Sequence, residues 1–101
     1  MLTRLAAGAA LALAGSCAAA WAQDAMMGRQ IAQEWCSGCH AVDDRPPHSD
    51  AVPSFRSIAH ARGTTRLSLI VFLSTPHHRM PDYHLTTQEM DDISAYILSL
   101  K

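Results

Sequence analysis

Aromatic residues make up only 6% of this 101-residue sequence and charged residues 17%. No stretch reaches the roughly 20 consecutive apolar residues that a membrane-spanning helix needs, and the apolar run from Leu5 to Leu13 falls well short. No dense basic run is present either, so neither nucleic acid nor an anionic membrane surface is favoured as a partner. Beyond the first 22 residues there is no alternating apolar and polar pattern, no internal repeat and no low-complexity tract. The absence of alternation argues against a strand-built fold and leaves an all-α domain as the expectation.

What is present begins with an export signal. Arg4 supplies the positive end, Leu5 to Leu13 the apolar segment, and Ala20-Trp21-Ala22 the small-residue cleavage pattern. Cleavage after Ala22 is expected, with residues 1–22 as a removed leader, residues 23–101 as one soluble domain, and the periplasm as its place. Cys17 leaves with the leader. Acylation of Cys17 would make a lipoprotein, but Leu13 stands one place too far from it, so such an anchor is not expected. Without Arg4, seven Lys and Arg face nine Asp and Glu, a formal balance of −2. A domain of this length draws only a few kcal/mol from an apolar core, so a staple or cofactor should contribute.

Helical spacing of Met27, Ile31 and Trp35 predicts a first helix from about Met26 to Trp35, capped by Asp24 or the residue after it. Asp43 to Pro53 is polar and rich in proline, as an irregular surface loop requires. Short helices are expected at Ser54–Ala61 and Thr64–Ser74, with Ser54 and Thr64 as N-caps and Gly63 between them. Pro76 and Pro81 make Thr75–Leu85 a loop. Thr86 and Glu89 form a capping box ahead of Met90, Ile93, Ile97 and Leu100 at helical spacing, and Lys101 suits the negative end of that helix's dipole.

The chemistry resides in Cys36-Ser37-Gly38-Cys39-His40, the Cys-x-x-Cys-His pattern of covalent haem attachment. Two thiols three positions apart can add to the two vinyl groups on one porphyrin edge, which brings the adjacent imidazole beneath the iron. A thioredoxin-like dithiol would need a βαβ setting that is not visible, and a disulfide here would close too short a loop to stabilise much. A zinc site would need two further ligands, for which His48 and His60 are the candidates.

Met80 is the candidate for the iron's sixth position. It lies in the loop His77-His78-Arg79-Met80-Pro81, and its thioether favours ferrous iron and so raises the reduction potential. His77, His78, His84 and Met90 remain alternatives. Arg79, His77 and His78 could also give the rim positive charge for an acidic partner. Candidates for an apolar wall are Trp35, Phe55, Ile58, Leu67, Ile70, Val71, Phe72, Ile97 and Leu98, while Met26 and Met27 are read as first-helix packing.

Together these residues resemble the class I cytochromes c, small bacterial members especially, over essentially all of Gly28–Leu100. Gly28 and Tyr96 are similar to the pair at the family's crossing of first and last helices, and Asp92-Ile93-Ser94-Ala95-Tyr96-Ile97 resembles its terminal-helix signature. The resemblance implies three to five helices around one covalent haem c, with Met80-Pro81 as distal ligand and following proline. It also implies that the Pro53 carbonyl accepts the Nδ1 proton of His40. Ala32 departs from the family's frequent aromatic, with Trp35 as the possible compensation, and His78 stands where a hydroxyl residue is common. The implied function is outer-sphere transfer of one electron to and from redox proteins by a monomeric, non-enzymatic carrier. Rival readings are a haem peroxidase or gas sensor with a labile sixth ligand, and a subunit of a larger membrane or periplasmic dehydrogenase or oxidase.

Overall fold

The structure, a computed structural model, describes residues 23–101 apart from His78. The expected leader, its cleavage point and Cys17 lie outside the described residues. Four α-helices follow in order: α1, Ala25–Ile31; α2, Phe55–His60; α3, Arg66–Ser74; and α4, Thr87–Ser99. A π-helical turn, Ala32–Cys36, extends α1. Among the described residues the only β-type pairing is an isolated bridge between His77 and Met80.

Local chemistry starts each helix. Asp24 accepts the Met27 N–H at 3.0 Å at the head of α1. Ser54 accepts the Ser57 N–H at 3.1 Å at the head of α2. Thr86 and Glu89 make the reciprocal pair at the head of α4, with bonds of 3.1 and 2.8 Å. These contacts satisfy N–H groups that a helix start leaves without intrahelical partners.

The head of α3 differs from the sequence expectation. Its cap is Thr65, which exchanges bonds with Ser68 at 3.1 and 2.9 Å. Thr64 has another task, since its hydroxyl donates to the Ile58 carbonyl at 2.7 Å in the last turn of α2. Gly63, at φ +80°, provides the left-handed step between the two helices. Helix α4 ends at Ser99, so Lys101 lies beyond it.

Helix α4 packs against each of the other three α-helices, most extensively against α1. The core joins Ala32, Val42, Phe55, Ala59, Leu69, Ile93, Tyr96 and Ile97. Gly28 meets the backbone of α4 at Asp92 and Ile93, with no room for a side chain between the two helices. The face buried by α1 and its π-helical extension is therefore centred on Gly28 and Ala32, four apart and both small. Met26 and Met27 are exposed, which corrects their reading as packing residues.

The π-helical turn accounts for another correction. The Ser37 N–H reaches back five residues to the Ala32 carbonyl at 3.0 Å, and the wider turn offsets the stripe on which Trp35 was placed. Trp35 is exposed and stacks on Tyr83, so it does not thicken the contact made by Ala32. Of the other wall candidates, Phe55 and Ile97 are buried, whereas Leu67, Val71 and Phe72 are exposed on α3.

Candidate functional site

The π-helical turn ends at Cys36, and the chain then closes tightly on itself. The Cys36 carbonyl accepts N–H bonds from Cys39 at 3.2 Å and from His40 at 2.9 Å. One short turn thus presents both sulfurs and the imidazole from a common base. Cys36 packs against the core, Cys39 is exposed, and both are free thiols. Burial pushes the Cys36 thiol up to about 11, which keeps it protonated at neutral pH.

Three consecutive residues after Cys39 are each fixed by a different partner. His40 Nδ1 lies 2.6 Å from the Pro53 carbonyl oxygen. A carbonyl can only accept, so Nδ1 carries the proton and the lone pair is left on Nε2. The Ala41 carbonyl accepts the Phe55 N–H at 2.9 Å. The Val42 carbonyl accepts the Tyr96 hydroxyl inside the core. The Phe55 ring lies 5.4 Å from the imidazole and 6.3 Å from the Tyr96 ring, both at tilted angles.

This donor set suits haem. The two thiols are unpaired, the imidazole has a metal-binding nitrogen in the required tautomer, and apolar side chains adjoin it. The other histidines offered as zinc ligands have different engagements: His48 Nε2 lies 3.0 Å from the Ser37 carbonyl, and His60 Nδ1 2.8 Å from the Arg56 carbonyl. The contact of His48 with the attachment motif was missed by sequence reading, because nothing in the polar loop's composition marks which histidine folds back.

Met80 lies on a separate segment, half-buried and bridged to His77. Arg79 before it has φ +73°. The alternative ligands are dispersed. The His77 ring stacks on Phe72 at 3.6 Å between centroids. His84 is exposed, with Nδ1 3.7 Å from Asp82 Oδ2. Met90 is on α4, bordering a concavity of about 280 Å³ with Leu73, Asp82, His84 and Leu85. His78 is outside the described residues.

Comparison with known proteins identifies the family. The family model described as Cytochrome c matches residues 25–101. The chain is 41% identical over 92 residues to a protein named cytochrome c-552 from Bradyrhizobium diazoefficiens, an alignment that covers 90% of this chain and 88% of the relative. No solved structure gave a match. The sequence pattern, the helical fold and these likenesses agree: the chain belongs to the cytochrome c family, as an electron carrier with covalently bound haem c.

Proposed function

We propose that residues 23–101 act in the periplasm as a one-electron shuttle, after removal of residues 1–22. In this reading Cys36 and Cys39 tether the haem, His40 Nε2 and the Met80 thioether hold its iron, and the Pro53 carbonyl orients His40. The carrying observation is the 2.6 Å contact between His40 Nδ1 and the Pro53 carbonyl, which fixes the tautomer a proximal ligand needs.

When bound, haem supplies the reversible ferrous and ferric couple. The chain's task is to keep the coordinating side chains still, because small displacement between oxidation states keeps the barrier to transfer low. His40 is restrained through Nδ1 and by the Phe55 ring. Redox partners would meet the carrier through a small, short-lived interface. Arg79 and His77, on the loop that bears Met80, would favour an acidic partner and make association sensitive to salt.

Met80→Ala tests the sixth ligand. The methionine-to-ferric charge-transfer band should disappear and the reduction potential should fall, while an unchanged spectrum would remove Met80 from the iron. Cys36→Ser and Cys39→Ser test the tether. Each should sharply reduce haem retained on a denaturing gel, and normal haem staining would refute attachment through both sulfurs.

A further inference from the structure

We propose that Trp35 and Tyr83 form a clasp that holds the loop carrying Met80 against the segment carrying the tethering cysteines. Both are then positioning residues for the sixth ligand, an inference that rests on the reading of Met80 as that ligand. Trp35 immediately precedes Cys36, and Tyr83 follows Met80 by three positions. Their rings stack at 6.0 Å between centroids and 13° between planes, within the range where aromatic pairs attract. The stack therefore joins two segments that the fold otherwise leads in from different places.

The loop has need of such a contact. Between α3 and α4 its only backbone pairing among the described residues is the single bridge from His77 to Met80. Pro76 and Pro81 each lack a backbone donor. Arg79 and His84 take left-handed conformations, at φ +73° and +50°. Non-glycine residues pay a steric penalty there and stay in place only when their surroundings hold them. Asp82 steadies one end by accepting the His84 N–H at 3.0 Å, and Tyr83, between Asp82 and His84, makes the stack with Trp35.

Trp35 is 37% exposed and Tyr83 41% exposed, so truncating either leaves the core of Ile93, Tyr96 and Ile97 untouched. This exposure makes the test clean. The haem-loaded protein would be compared with Trp35→Ala, Tyr83→Ala, the double variant and Trp35→Phe. The readouts are amide hydrogen exchange in the loop at His84, whose N–H Asp82 accepts, the methionine charge-transfer band, and the rate at which added imidazole binds ferric iron.

Each alanine variant should exchange about threefold to tenfold faster in the loop, the range set by an aromatic pair's coupling. The double variant should be no faster than the singles, Trp35→Phe should stay near the parent, and imidazole binding should accelerate in step with exchange. Parent-like exchange in both alanine variants, or additive effects in the double variant, would overturn the clasp. A parent protein without the charge-transfer band would remove the Met80 reading separately, and the exchange comparison would still decide whether the clasp holds the loop.

Discussion

Asp92, buried midway along α4, accepts the backbone N–H of Asp24 through Oδ1 at 2.9 Å. The same oxygen accepts from Gln88 Nε2 at 2.7 Å. Asp24 in turn caps α1, so the residue that starts the first helix is fastened to the last. Asp92→Ala removes both bonds to this carboxylate and should cost about 1–3 kcal/mol in denaturant unfolding. Asp92→Asn keeps an acceptor and should cost less; equal losses would mean that the bond to Asp24 is not the cause.

Helix crossing at Gly28 leads to a larger effect. A Cβ there would stand 1.9 Å from the Asp92 carbonyl oxygen and 2.9 Å from the Ile93 nitrogen. Both obstacles are backbone and cannot rotate aside. Gly28→Ala should destabilise by about 3 kcal/mol or more, at the upper end for overpacking, read as a fall in melting temperature. A melting temperature within a degree or two of the parent would show that the helices separate easily.

Tyr96 carries a prediction with a pH signature. Removing its hydroxyl in Tyr96→Phe deprives the buried Val42 carbonyl of its donor, at about 1–3 kcal/mol. Desolvation raises the Tyr96 phenol above its ordinary value of 10. The folded state then holds that proton where the unfolded chain releases it, so this contribution to stability is complete below pH 10 and is lost as pH climbs beyond. The deficit of Tyr96→Phe relative to the parent should accordingly narrow above that point. A pH-independent deficit in the reduced protein would contradict the assignment.

Thr86→Ala removes the bond from the Glu89 N–H to the Thr86 hydroxyl and leaves the Glu89 half of the cap on α4. The loss should be about 1 kcal/mol, with the haem spectrum unchanged because the cap lies outside the ligand set. Midpoints in urea for the two proteins would decide it.

How much of this was legible in the residues depends on what each signal encodes. Caps at Asp24, Ser54 and Thr86 were readable because one side chain and one nearby N–H define them. The tight turn from Cys36 to His40 is likewise local, since its bonds join residues three and four apart. The buried face of the first helix was legible only in part: Ile31 packs against the core as its spacing implies, but periodicity also gives weight to bulky Met27 and Trp35, whereas the crossing with α4 selects small Gly28 and Ala32. Thr64 and Thr65 are chemically alike, and only the path after Gly63 decides that the first bonds back to α2 and the second caps α3. The pairing of Trp35 with Tyr83 and the bond from His48 to the Ser37 carbonyl join distant parts of the chain, where no local pattern could announce them.

The three anchors on His40, Ala41 and Val42 have a consequence for how this molecule would wear out. The stretch His40–Val42 is built like a bearing, seated on Pro53 just ahead of α2, on Phe55 in α2 and on Tyr96 in α4; the loop that carries Met80 is closer to a spring, bent at Arg79 and His84. Heat, competing small molecules or a partner's pressure would consequently be felt first in the sprung loop, while the seated imidazole stays aligned until the helices themselves come apart.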